Sequence, residues 1–457
     1  MVTTATAQDY FITQYGAKGD GKTVNTKAIQ LAIDACSKSG GKVIIPQGSF
    51  VSGTLFLKDN VTLFLQGGAR LLGSTDLEDY PKTTTNFRFW GDAWTFQSLI
   101  IAHGVKNVSI EGNGIIDGRG ASFPVLTKKK PDKYKNRPYL LWFAESEGIV
   151  VKDVELRNSA MWMQSYIRCD KLRIDGITVY NHSNRNNDMM DIDGCKDVIV
   201  TRVIGDSEDD GITLKSTCDR VGENISISNC LLSSHCNAIK FGTETTAGFR
   251  NVVISDCVVR RSSVTTTLSG CAEGSSGISI EMVDGGLMEN VSIQNIVIDG
   301  PLVPLFVRLG NRARKHYSEA PEPGMGVMRN VSVSQIVATA SSSIGCSVTG
   351  VPGGKVENFS LTNCSFVCKG GVREDLIQRE IPELENLYPE ANMFGTLPAY
   401  GLYVRHAKNI RLEGLSFYLI EKDARPAILL DDVQQATTNT ILLYGEQGGD
   451  KVLEKKE

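Results

Sequence analysis

The feature that most restricts this chain is a recurring short stretch of alternating apolar residues. From about residue 50 onward these stretches follow one another, with Gly, Asn or Asp between them. Their middle residues can be phased as Ile110, Val151, Ile174, Val200, Ile227, Ile254, Ile293, Val333, Leu361 and Leu412. The gaps are 41, 23, 26, 27, 27, 39, 40, 28 and 51 residues, a base period in the twenties interrupted by insertions. ISISNC at 225–230 is echoed by VVISDC at 252–257, VSIQNI at 291–296 and FSLTNC at 359–364. One such coil cannot bury its inward face alone. Stacked coils close a continuous core and pair each strand with those above and below. The expected fold is all-β: a single-stranded, right-handed parallel β-helix. Ile, Val and Leu point inward, and the Asn that follows them sits at a turn where it can hydrogen-bond along a stack. Cys230, Cys257 and Cys364 fall at equivalent inward positions and are expected to be core.

Residues 8–50 have a different pattern. Asn25 or Thr26 can cap a helix with Ala28, Ile29, Ala32, Ile33 and Cys36 on one side, stopped by Gly40-Gly41. The expected organisation is 1–50 as an N-terminal segment with a capping helix, within the same domain as a β-helix over 51–445. The charged stretch 446–457 is expected to be a frayed tail. The glycines near the start form neither a GxGxxG nor a Walker pattern. Insertions are expected at 72–100, 118–140, 262–276, 305–329 and 370–400. Projecting loops often wall a cleft, and 72–100, with Trp90 and Trp94, and 305–329 are favoured for that role. Other marked loop residues are Pro124, Pro131, His316, Tyr317, Pro321 and Pro323.

Composition excludes several functions. A formal charge of -4, from 48 basic and 52 acidic residues, offers no broad basic surface for nucleic acid. No run of 18 apolar residues exists, so no membrane-spanning helix is expected. The first residues lack a basic stretch followed by an apolar one, so they do not read as a leader. The eleven cysteines lack CxxC or metal-ligand spacing and are expected to be buried thiols.

The chemistry concentrates in three adjacent coils: NRNNDMMDIDGC at 184–195, GDSEDDGITLKS at 205–216 and SSHCNAIKFGTET at 234–246. Asp188 precedes Asp209 by 21 residues and Asp210 by 22, about one coil. Parallel strands are about 4.8 Å apart, so the three carboxyls are expected on one outer face. Carboxyls about 6.5–9.5 Å apart leave room for an attacking water, the inverting geometry of glycoside cleavage. Crowding raises the proton affinity of one of them. Asp209 and Asp210 can both reach solvent only if the backbone turns, which Gly211 permits. An isolated Asp-Asp pair is usually a solvated turn. The third Asp, with His235, Lys215 and Lys240 nearby, favours a site. Asp191 and Asp193 are weaker candidates. Calcium held by Asp188, Asp191, Asp206, Asp209 and Asp210 is the rival use, opposed by Lys215 and Lys240. The expectation is therefore no metal and no cofactor.

These segments resemble glycoside hydrolase family 28, the polygalacturonase family. FITQYGAKGDGKTVNTKAIQLAIDAC and GGKVIIPQGSFVSG resemble the opening of its bacterial members, and SIEGNGIIDGRG at 109–120 resembles its Gly-rich coil. NNDMMD at 186–191 resembles the family's Asn-Thr-Asp-Gly-x-Asp motif, and DDGITLKS at 209–216 its Asp-Asp-x-x-x-x-Lys-Ser motif. The resemblance covers about residues 10–440. It implies inverting hydrolysis of galacturonic-acid-containing pectic glycan, with an exo mode suggested by bulky insertions. Asp209 would be the general acid, Asp188 and Asp210 would activate water, and Asn186 would orient its neighbours or bind substrate. Two motifs depart from the family. Its Gly-His-Gly corresponds to Ser234-His235-Cys236, or to Cys236-Asn237-Ala238 if IKFG is the anchor. Its Arg-x-Lys corresponds to Ser279 and Glu281. His235 is thus a catalytic candidate. Asn237, Glu281, Lys215, Lys240, Arg308, Arg312 and Trp162 are candidates for substrate binding, with the cations as alternative partners for a sugar carboxylate. The subsite can otherwise take a neutral or differently linked sugar. The implied protein is a monomer, secreted or periplasmic. A polysaccharide lyase, a noncatalytic glycan-binding β-helix and an epimerase are the competing readings.

Overall fold

The computed structural model describes residues 8–87, 95–127, 129, 132–374, 376–447 and 452–455. Trp90, Trp94 and Pro131, singled out above, lie outside them. The chain divides into two compact units, one up to Glu208 and one from Asp209 onward.

In the first unit the repeating element is a coil of three strands in chain order, here called ribbons A, B and C; in the second unit the strands run together, as in Leu287–Asp299 and Leu402–Asp423. A representative coil of the first unit is Tyr139–Ala144, Glu147–Lys152 and Glu155–Arg157. Each strand pairs in parallel with its counterpart in the next coil. Parallel crossovers of this kind are right-handed. The phased residues fall into register. In the first unit Ile110 pairs with Val151, Val151 with Ile174 and Ile174 with Val200. In the second, Ile227, Ile254, Ile293, Val333, Leu361 and Leu412 form one continuous row. All ten are buried. The long gaps therefore come from loops that leave the strand register intact. Fully burying each such side chain is worth about 1.5–3 kcal/mol.

The turns explain the asparagines. Asn224, Asn251, Asn290, Asn330, Asn358 and Asn409 all have φ between 52° and 58°, a left-handed conformation that Asn tolerates better than most residues. Each amide donates to the carbonyl oxygen of the previous one at 2.9–3.3 Å, a ladder across six coils. This ladder lies on the Asn before each apolar stretch. The Asn expected to stack, the one after the stretch, also turns left-handed at Asn229, Asn295 and Asn363, but there Asn295 donates to Asp256 at 2.6 Å. Cys230, Cys257 and Cys364 are buried as expected; Cys236 and Cys271 depart from the expectation of buried thiols and are only partly buried.

Thr26–Cys36 is the α-helix of the described residues, with Ile29, Ala32, Ile33 and Cys36 buried. It packs on strands Gln8–Phe11, Gly41–Ile45 and Leu55–Phe56, at one end of the first unit. Asn25 occupies the N-cap position without a capping bond. Its amide instead donates to Lys18 O and Thr23 O, fixing the preceding loop. Val452–Lys455 pairs with Ile428–Asp431, so this part of the segment expected to fray is a strand. Among the described residues no helix is long and apolar enough to cross a membrane.

Candidate active site

The acid pair lies where the chain bends ahead of strand Ile212–Ser216. A Cβ on Gly211 would lie 2.3 Å from Ala238 O, so close approach to the next coil requires glycine here. Gly211 N donates to Asn237 O at 2.8 Å, and Ser234 Oγ donates to Asp209 O at 2.6 Å. The backbone turn expected from Gly211 is present. It leaves Asp209 half-buried and Asp210 buried.

The two carboxyls have different surroundings. Burial, and next the adjacent Asp210 charge, push the Asp209 carboxyl above the usual range. Lys240, the Cys236 thiol and Lys215 pull in the other direction without prevailing. Asp210 receives Lys240 Nζ at 2.9 Å on one oxygen. Its other oxygen receives Asn237 Nδ2 at 2.7 Å and Asn237 N at 3.2 Å. Asn237 is held in turn by Ser276 Oγ at 2.7 Å. Asn237 and Lys240, expected as substrate-binding candidates, both contact Asp210, and Lys240 is almost fully buried.

Lys240 Nζ also lies 3.6 Å from Glu281 Oε2 and 3.2 Å from the Tyr388 hydroxyl. Burial opposes its charge, but Asp210 and Glu281 hold the ammonium well above its usual value. Glu281 is fully enclosed and accepts from Ser279 Oγ at 2.5 Å. Burial pushes its carboxyl up to about 7, against the opposing charge of Lys240. The expectation that Glu281 binds sugar hydroxyls is corrected, because no part of it reaches solvent.

A second layer of charge surrounds this chain of contacts. Glu244 lies 3.8 Å from Lys215 and 2.7 Å from Arg314. Burial would raise its carboxyl, yet Lys215, Arg314 and Arg312 hold it well below the usual range. Arg312 makes a two-nitrogen contact with Asp284 and donates to Thr243 O at 3.2 Å. Arg308 requires correction: it is buried and donates to the backbone oxygens of Gly350, at 2.7 Å, and Glu383. Its guanidinium ties a loop to the coil and is not available to a sugar carboxylate. His235 is also corrected. It is fully buried, and Nε2 donates to Val264 O at 2.8 Å, so the ring anchors the 260–275 loop.

In the first unit Asp188 is buried, and its carbonyl accepts from Met163 N at 3.1 Å and Asn181 Nδ2 at 3.0 Å. Asn187 donates to Ser159 O and Met161 O, which pins the turn. Asn186 Oδ1 accepts from Arg137 at 3.1 Å, and the same guanidinium donates to Arg185 O at 2.7 Å. Arg137 escaped the sequence reading because it lies 49 residues from Asn186 in an insertion. Trp162 is buried between Tyr134 and Tyr139, with ring centroids 6.0 and 6.1 Å away. It packs the wall here and presents little surface for a sugar.

Tyr388 was also missed. It comes from the 370–400 loop, 148 residues beyond Lys240, and no local pattern marks it. The loop favoured for a cleft wall, 305–329, does contribute Arg312 and Arg314. A metal at the acid pair would draw on Asp209, Asp210 and Cys236, whose donor atoms lie within 4.8 Å of one another. That set is small for calcium, and the Lys240 ammonium already supplies a cation to Asp210.

Residues 41–370 match the model of glycosyl hydrolases family 28. A probable polygalacturonase of Vitis vinifera is 26% identical over 377 residues, 78% of this chain and 73% of the relative. An exo-poly-alpha-D-galacturonosidase of Dickeya chrysanthemi is 26% identical over 348 residues, 65% of this chain and 58% of the relative. Among solved structures, a hyperthermoactive exopolygalacturonase of Thermotoga maritima aligns with a TM-score of 0.65 and 22% identity, covering 79% of this chain and 87% of that one. That likeness bears on the fold, a right-handed parallel β-helix.

Proposed function

Because the chain belongs to glycosyl hydrolases family 28, we propose that it hydrolyses glycosidic bonds of galacturonic-acid-containing pectic glycan with inversion. The observation that carries this reading is the unequal pair at Asp209 and Asp210. Asp209 is half-buried, has raised proton affinity and can deliver a proton. Asp210 is ion-paired with Lys240 and hydrogen-bonded to Asn237. These different surroundings support Asp209 as the acid and Asp210 as its partner.

In the proposed mechanism Asp209 protonates the glycosidic oxygen of the leaving sugar. Asp210 and Asp188 orient a water and take its proton as it attacks the anomeric carbon. Asp188 stands two residues before strand Met190–Asp193, and Asp210 two before strand Ile212–Ser216. Each thus occupies the same place in its own coil, which supports a shared role. The bond to the leaving oxygen breaks as the bond to water forms, and the configuration inverts. Asn186, held by Arg137, is proposed to orient the loop that bears Asp188. Lys215, Lys240, Asn237 and Arg312 set the charge and geometry around the pair.

The exo-named relatives support an exo mode, in which short products leave from one chain end. A polymeric substrate fits a secreted or periplasmic monomer. The test is Asp209→Asn assayed for reducing ends. Turnover falls about 10²–10⁴-fold with unchanged thermal unfolding. Undiminished hydrolysis rejects Asp209 as the acid, and products bearing a new double bond reject hydrolysis in favour of elimination.

A further inference from the structure

The wall that the second unit gives to this site carries more cations than an acid pair requires, yet its charges are already matched. Lys240 contacts Asp210 and Glu281. Lys215 faces Glu244, and Arg314 contacts Glu244 and Asp284. Arg312 is held by Asp284. Among the described residues each of these four cations is already paired with a carboxylate, so a sugar carboxylate moved against this wall would leave water for cations whose charge is matched, which is costly. Freeing one of these cations would strand a buried carboxylate of the protein.

The same wall presents an aromatic face. Tyr388 keeps its hydroxyl in the enclosed network, 3.2 Å from Lys240 Nζ, while 44% of the residue is exposed. The Lys240 and Arg312 cations lie 5.5 and 5.6 Å from the ring centroid. Tyr388 is thus fixed at its polar end while much of the residue is exposed. Tyr388 and Asp210 are both within hydrogen-bond reach of one ammonium, so the aromatic surface adjoins the acid pair.

We infer that Tyr388 is a substrate-binding residue and that the sugar it receives beside the acid pair is uncharged at its C6 position. The inference rests on the hydrolase reading above and names the substrate class of that site. An uncharged ring has two sources within pectic glycan: a methyl-esterified galacturonate, or a neutral sugar in the backbone or as a branch. Sugar C–H groups pack on the aromatic face, while the closed Asp210–Lys240–Glu281 chain holds the ring in place.

The experiment compares kcat/KM of the intact protein on four glycans: polygalacturonate, its methyl-esterified form, a backbone alternating galacturonate with a neutral sugar, and galacturonan branched with neutral sugars. The first two differ only at C6, where a neutral methyl ester replaces the carboxylate. The expected result is at least about 10-fold preference for one of the three substrates that can bring an uncharged sugar to the acid pair. Which of them is preferred identifies the source. On it, Tyr388→Ala raises KM about 3–10-fold, the range of an aromatic contact. Tyr388→Phe recovers most of that loss. Preference for polygalacturonate overturns the inference and leaves the hydrolase reading standing. An unchanged KM in a folded Tyr388→Ala protein overturns the role of Tyr388. If Tyr388→Ala does not fold, Tyr388→Phe decides instead: a KM on the preferred substrate raised beyond about 10-fold overturns the role of the ring face, and a smaller change supports it. Hydrolysis of none of the four glycans overturns both readings.

Discussion

Replacing Lys240 with methionine tests the electrostatic core of the site. Methionine keeps most of the buried volume and removes the ammonium that Asp210 and Glu281 share. All three side chains are buried, so solvent screens the loss little. Removing one partner of a buried pair costs about 3–5 kcal/mol, chiefly because the remaining charge is stranded. Unfolding entropy scales at roughly 2 cal/mol/K per residue, so for a chain of 457 residues the midpoint falls by about 3–5 °C. The loss depends on pH. Glu281 is already pushed up to about 7 with Lys240 present, and without it the carboxyl rises further. A raised folded-state pKa means that the folded protein holds a proton which the unfolded chain releases, so stability falls as pH rises through that window. The gap between Lys240→Met and the unmodified protein therefore widens from pH 4.5 to 8. Adding Glu281→Gln to Lys240→Met narrows it at neutral pH. Calorimetry across that range is the assay. A midpoint unchanged at pH 7.5, or a gap that closes as pH rises, refutes the argument.

Further consequences are accessible to simple measurements. Because Asp209 must be protonated to act and its proton affinity is raised, kcat falls on the alkaline side with an apparent pKa above the ordinary carboxylate range; a rate limb at about 4 or below contradicts this. Asn290→Ala breaks two rungs of the ladder and places alanine at φ 58°. A loss of about 1–3 kcal/mol in denaturant unfolding is expected, and Asn290→Gly, which tolerates that φ, loses less; equal losses contradict the conformational part of the argument.

Much of the fold was legible because its signal is local and repeated. The row from Ile227 to Leu412 could be phased by eye, and every member falls into register. Insertions changed the gaps but not the pattern, since a loop between strands does not alter which residue faces the core. Asn295, after its stretch, bonds to Asp256 along the stack as expected; the longer ladder lies on the Asn before each stretch, and Asn occurs on both sides. The acid pair could also be found, as Asp209, Asp210 and Gly211 adjoin one another and Gly211 answers a steric demand from Ala238. The cations were different. Arg308 and Arg312 sit in the same short segment, yet Arg308 turns to the backbone of Gly350 and Glu383 while Arg312 pairs with Asp284. That choice depends on loops distant in sequence. Tyr388 depends on the same kind of long-range placement. His235 shows the converse, a residue type suggestive of catalysis that serves a loop carbonyl.

The most direct test of the account is the anomeric configuration of the first product, followed by proton NMR while a pectic glycan is being cleaved. Proton delivery from Asp209 with water attack from the opposite face gives a product anomer inverted relative to the bond broken, and Asp209→Asn suppresses its appearance. A retained anomer, or an inverted product formed at an undiminished rate by Asp209→Asn, contradicts it.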